Sequence, residues 1–380
     1  MNLAELLLFT KEAGGSDLVV AAGAPAAIRV RGEMRRVSGG DGREAPPLGA
    51  EQVRALIYGL LTEEQRKRLE LDHELDLGMA IGADARFRAN VFFQEHGLGA
   101  VFRVVPTVVP AADALGLPAI VRRIAELKRG LVLVTGPTGS GKSTTLAAIV
   151  DLINQTRRAH ILTIEDPIEF LHAPKLSIIN QRAVGPHTRS FAAALRSALR
   201  EAPDVIMVGE LRDHETVSLA LKAAETGHLV LGTLHTSSAP KTVERILGVF
   251  PADEQAQART SLAESLQAVI AQLLLPRRGG GRVAAFEVMV ATLAVRAMIR
   301  EGKTHELLSA IQTGAQHGMQ SLEQALSRLV VEGKVDKDVS TTELDAIGLA
   351  REGGARGQPA PNGVAAGRPG EARSPRYRYT

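Results

Sequence analysis

The sequence predicts an α/β protein with two domains, the second built on a parallel sheet covered by helices on both faces. Three observations carry this. From residue 131 onward, near-continuous apolar strands alternate with helical patterns. A glycine-rich segment, 136–143, sits between one such strand and the next helix. A proline-containing, aperiodic stretch at 106–118 (PTVVPAADALGLP) separates this region from a differently patterned N-terminal part and reads as a linker.

Residues 1–105 form the first domain. A helix over 2–13 places Leu3, Leu6, Leu7 and Leu8 on one packed face, followed by short strands near 18–21, 27–31 and 33–37. Residues 38–50 read as a surface loop. Val53, Leu56, Ile57, Leu60 and Leu61 recur at helical spacing and predict one helix from Glu51 to about Leu71. Strands follow near 75–81, 84–93 and 99–105. In the second of these, Phe87, Ala89, Val91 and Phe93 alternate with Arg86, Arg88, Asn90 and Phe92, so one face carries arginines.

The second domain spans 119–350. Its strands are LVLVT (131–135), HILTI (160–164), DVIMV (204–208) and HLVLGTL (228–234), with helices to about 155, over 190–201 and over 213–226. Residues 252–350 read as mostly helical, including a long amphipathic stretch with Leu262, Leu266, Val269, Ile270 and Leu273. Residues 351–380 are rich in Gly, Pro, Arg and Ala without periodicity, which predicts a disordered basic tail.

Composition narrows the function classes. The absence of Cys removes disulfides, thiolate zinc sites and a cysteine nucleophile. The net charge of +3 hints at nucleic acid, but six Arg and two Glu lie in 351–380. Residues 1–350 therefore carry 39 basic and 40 acidic side chains, a net of −1. With three Tyr and no Trp for base stacking, a RecA-like nucleic-acid motor is disfavoured. No apolar run approaches the roughly 18 residues of a membrane span, and Glu5 sits where a secretion signal would carry positive charge. The expectation is a cytoplasmic protein without an integral span.

Gly136, Pro137, Thr138, Gly139, Ser140, Gly141, Lys142 and Ser143, with Thr144 next, match a phosphate-binding loop in its required strand–helix context. Glycines let backbone N–H groups turn inward, and the helix N-terminus adds positive potential. Lys142 would reach the β- and γ-phosphates of ATP, and the Ser143 hydroxyl would ligand Mg²⁺. No Asn-Lys-x-Asp segment of a GTPase is present. Three further strand ends carry polar groups: Glu165, Asp166 and Glu169 after the second strand, Glu210 after the third, and His235 after the fourth. Ligands of open parallel sheets sit at the carboxyl ends of strands, so these converge on the loop's edge and suit water activation and Mg²⁺ coordination. His228 and His235 flank one strand without metal-ligand spacing. A lone His is more often structural, and His235 at a strand terminus could equally contact the γ-phosphate; the residues leave both open.

The segments VTGPTGSGKSTTLAA, HILTIEDPIEF, LRSALREAPDVIMVGELRD and AAETGHLVLGTLHT resemble the Walker A, Asp box, Walker B and His box of the type II/IV secretion ATPases. Within that superfamily the sequence is most similar to the type IV pilus retraction ATPases, from SDL at 16–18 through AVRAMIRE (294–301) to GMQSLEQAL (318–326). The resemblance implies a homohexameric motor of PAS-like N-terminal and RecA-like C-terminal domains, docked at the inner-membrane face of the pilus machine beside its platform protein. It implies Glu210 as the Walker B carboxylate, holding Mg²⁺ with Ser143, and Glu169 as general base. His228 and His235 would form the His box, and Arg88 and Arg103 would reach the γ-phosphate. SDLVV stands where the family has SDLHL, and QEHG (94–97) where it has QNRG, so Glu95 and His96 replace Asn and Arg. A pilus extension or type II secretion ATPase of the same fold is the alternative, and a non-hydrolysing accessory subunit is a third.

Overall fold

The computed structural model describes residues 2–30, 32–38, 45–82, 85–106, 108–339 and 342. The tail assigned to 351–380 lies outside them. The first unit opens with α1 (Leu3–Glu12), closed at its N-terminus by a reciprocal Asn2–Glu5 capping box. Leu3, Leu6 and Leu7 are buried, but Leu8 turns outward, which narrows the expected apolar face. Then come β1 (Asp17–Ala21), β2 (Ala27–Val30), β3 (Glu33–Arg36), α2 (Ala50–Tyr58), α3 (Glu63–Asp72), β4 (Glu74–Ile81), β5 (Ala85–Gln94) and β6 (Gly97–Val105).

The single helix expected from Glu51 to Leu71 is two. Gly59 ends α2, and Thr62 starts α3 with a second capping box to Gln65. These local caps outweigh the continuous apolar spacing. The six strands form one antiparallel sheet in the order β3-β2-β1-β6-β5-β4. Phe87, Ala89 and Val91 of β5 point into a core shared with Leu7, Leu18, Ile57 and Phe102, so Arg86 and Arg88 face away from it.

The second unit contains α4 (Ile120–Glu126), β7 (Gly130–Thr135), α5 (Lys142–Thr156), β8 (His160–Glu165), β9 (Ile178–Ala183), α6 (Phe191–Ala198), β10 (Val205–Val208), α7 (His214–Glu225), β11 (Leu229–Leu234), α8 (Ala239–Leu247), α9 (Gln255–Ser265), β12 (Leu266–Pro276), β13 (Arg282–Val290), α10 (Leu293–Arg300), α11 (Leu307–Thr313) and α12 (Leu322–Val331). Its seven-stranded sheet runs β13-β12-β7-β11-β10-β8-β9, parallel except for β13. Every residue of β7, β10 and β11 is buried, as expected for strands covered on both faces. Burying such a Leu or Val contributes about 1.5–3 kcal/mol each.

One expectation fails here. Leu266, Val269, Ile270 and Leu273 belong to strand β12, not to an amphipathic helix, and β13 is a second strand in the stretch expected to be mostly helical. Most of strand β12 is buried, so its apolar residues need no alternation, and such a run does not distinguish helix from strand by period. Helix α4 also escapes the sequence reading, and strand β9 escapes it because it lacks an apolar run. Four of the six residues of β9 are Asn, Gln, Arg or Ala, at the sheet's edge.

Candidate functional site

Four parallel strands, β7, β11, β10 and β8, end on one edge of the second sheet and deliver the phosphate loop, His235, Glu210 and Glu165 in that order. The loop's shape depends on glycine at two points. Gly136 has φ +146°, and a Cβ there would sit 2.3 Å from the Gln272 carbonyl oxygen and 2.6 Å from Ser140 Oγ. Gly141, at φ +89°, is the residue before α5 and turns the chain into the helix. Pro137, Thr138 and Gly139 form the exposed rim, Ser140 is buried, and Ser143 and Thr144 are half-buried in the first turn of α5.

Lys142 is bent back over the loop. Its Nζ donates to the carbonyls of Gly136 at 2.9 Å and Pro137 at 3.0 Å, and lies 3.4 Å from His235 Nδ1. His235 Nε2 is 3.1 Å from Glu210 Oε1, and Arg212 Nη2 is 2.6 Å from Glu210 Oε2. The geometry fits an imidazole that donates from Nε2 to the carboxylate and accepts at Nδ1 from the ammonium. Lys142, His235, Glu210 and Arg212 thus form one connected chain of polar groups.

Burial pushes the Lys142 ammonium down from its ordinary value, with Glu210 and Glu169 resisting. Burial alone would raise Glu210, but the hydrogen bond and charge of Arg212, with His235, outweigh it and hold the carboxyl below the usual carboxylate range. Glu210 is therefore an anion facing the loop.

Glu165 is the buried member of the Asp box. Burial raises its carboxyl, against hydrogen bonds donated by Thr163 Oγ1 at 2.6 Å and Gln181 Nε2 at 3.1 Å. It also accepts the Glu169 backbone N–H at 3.3 Å. That bond shapes the turn that leaves Asp166 and Glu169 exposed. Glu169 remains close enough to attract Lys142, and Asp166 attracts Arg212. Six expected residues, Lys142, Glu165, Asp166, Glu169, Glu210 and His235, thus act on one edge.

Two expectations separate from that edge. His228 lies before the first residue of β11, at the opposite end from His235, about 20 Å away along an extended chain. Its Nδ1 is 2.9 Å from the Ala223 carbonyl oxygen, a local bond closing the turn after α7. The two histidines flank this strand as the sequence predicts, and its extended backbone places them at opposite ends. Arg88 and Arg103 stand on the first sheet as direct cross-strand neighbours. Arg103 Nε donates to Asp17 Oδ1 at 2.9 Å, and Arg29 lies 3.7 Å from the other oxygen of Asp17. Asp17 is buried while the Arg103 side chain is 69% exposed, so the carboxylate anchors an arginine that projects outward.

Sequence reasoning missed Asp17, Arg212 and Gln272. The first two stand inside quoted motifs, SDL and GELRD, where an acid–base pairing could have been sought. Gln272 lies far from any motif in sequence and gave no signal.

Comparison with known proteins agrees with this geometry. Residues 66–279 match the family model described as type II/IV secretion system protein. The chain is 53% identical over 338 residues to the Type IV pilus retractation ATPase PilT of Pseudomonas aeruginosa, covering 89% of this chain and 96% of that protein. It is 53% identical over 309 residues to a twitching motility protein of Neisseria gonorrhoeae, covering 81% of each. Its fold is similar to the crystal structure of the pilus retraction motor PilT with bound ADP, with a TM-score of 0.84 at 45% identity, covering 90% of this chain and 96% of that one. Among the described residues no helix is long and apolar enough to cross a membrane. The match over more than half of the chain, with the near full-length similarity to these relatives, places the chain in the type II/IV secretion system protein family.

Proposed function

We propose that the protein is a motor ATPase whose hydrolysis of ATP powers type IV pilus retraction. The observation that carries the enzymatic part is the connected set Lys142–His235–Glu210–Arg212 at the mouth of a glycine-shaped phosphate loop. The retraction part is supported by near full-length similarity to the Pseudomonas protein.

The loop amides and Lys142 bind the β- and γ-phosphates. The residues suit Mg²⁺: Ser143 offers a hydroxyl at the start of α5 and Glu210 an ionised carboxylate, and the ion supplies neutralisation of phosphate charge. Glu169 orients the attacking water and takes its proton as the water oxygen bonds to the γ-phosphorus and the bond to ADP breaks. Arg88 and Arg103 stabilise the developing charge once the first sheet's face meets the nucleotide. The domain boundaries are 1–105, 106–118, 119–350 and 351–380. Rotation about the 106–118 segment converts closure into movement within a homohexameric ring, on the cytoplasmic face of the inner membrane against the platform protein.

Deleting the gene tests the direction of work. Retraction predicts cells that keep pili and lose twitching; cells without pili would instead identify an extension or secretion ATPase. Stimulation of the ATPase by nucleic acid with a steep salt dependence would replace the reading with a RecA-like nucleic-acid motor.

A further inference from the structure

Behind the phosphate loop lie two buried side-chain oxygens, Ser140 Oγ and Gln272 Oε1, with no hydrogen-bond partner among the described residues. Gln272 belongs to β12, the strand beside β7. Ala271 pairs with Thr135, so Gln272 stands level with the first residue of the loop. Its Nε2 donates to the Ser140 carbonyl. The opposite amide orientation would set two oxygens against each other, so the geometry requires the donor to face Ser140.

We propose that Gln272 is a positioning residue for the phosphate loop. The Ser140 carbonyl and the Gly141 N–H belong to one rigid peptide plane and point in opposite directions. Holding that carbonyl from behind fixes the Gly141 N–H toward the phosphates. The contact is close: a Cβ at Gly141 would lie 3.2 Å from Gln272 Nε2. Core filling does not account for the side chain. Leu or Met there would avoid the unpaired Gln272 Oε1 but would leave the buried Ser140 carbonyl without its donor. Gln272 tolerates its unpaired oxygen for the sake of its donor. The assignment rests on nucleotide binding at the loop.

The test uses the full chain, ADP titration and melting without nucleotide. Gln272→Met keeps the volume and removes the donor; Gln272→Asn keeps the amide and shortens its reach by one methylene. Both are expected to bind ADP about tenfold more weakly, on the order of one lost hydrogen bond. Melting without nucleotide reads the structural loss from the unpaired Ser140 carbonyl separately from the loss of affinity. A folded Gln272→Met chain with parental ADP affinity overturns the assignment, whatever its melting temperature. Should that variant fail to fold, the Asn variant decides on the same affinity criterion. If Lys142→Ala binds ADP as well as the parent, the nucleotide reading of the loop falls first, and the role of Gln272 with it.

Discussion

At the edge of the second sheet, Lys142, His235 and Glu210 already contact one another within a single chain, whereas Arg103 on the first sheet is engaged with Asp17. The first arrangement comes from topology: parallel strands end together, so residues far apart in sequence meet without further motion. The second is an antiparallel surface, where cross-strand register lines up Arg29, Asp17, Arg103 and Arg88 across four strands. One region is assembled within its own sheet edge, and the other presents an outward arginine. Under the proposed function, part of the catalytic set depends on movement, and the exposed Arg103 held by Asp17 would supply that part.

The comparison breaks most severely at the loop. Lys142→Ala should abolish both nucleotide binding and turnover, since it removes the cation on which His235 and the loop carbonyls converge; an ADP titration and a phosphate-release assay read both. Glu169→Gln should keep ADP and ATP affinity and lower the hydrolysis rate about a hundredfold or more, the usual scale for a positioned base. Undiminished hydrolysis would remove Glu169 from that role.

The smallest effect concerns pH. Burial raises Glu165, so the folded chain holds its proton at pH values where the unfolded chain has lost it. Stability therefore falls as pH rises through the interval between the ordinary carboxylate value and the raised one. Glu165→Gln removes this dependence while keeping an acceptor for Thr163. Its melting temperature relative to the parent should be higher at neutral pH than at acid pH, by a few degrees at most.

Much of this molecule is legible in the sequence because its signals are local. The phosphate loop, the acidic strand ends and the alternating β5 face each declare themselves within ten residues, and the structure puts them where the strand–helix pattern requires. What escaped depends on contacts between distant segments. Strand β12 read as helix because a mostly buried strand is apolar at nearly every position, including those at helical spacing. Gln272 supports a loop 132 residues away. Arg212 shows the intermediate case: its place two residues after Glu210 is visible, but its ion pair is a matter of side-chain direction.

The central claim is that binding resides in the second sheet and that an arginine of the first sheet is needed only for chemistry. Arg103→Ala tests it most directly, with ATP-analogue affinity and steady-state hydrolysis measured on the same preparation. The account predicts affinity within about threefold of the parent and hydrolysis slowed about a hundredfold, the scale for losing one preorganised charge donor. Parental hydrolysis in Arg103→Ala, or a loss of binding equal to the loss of rate, would contradict it.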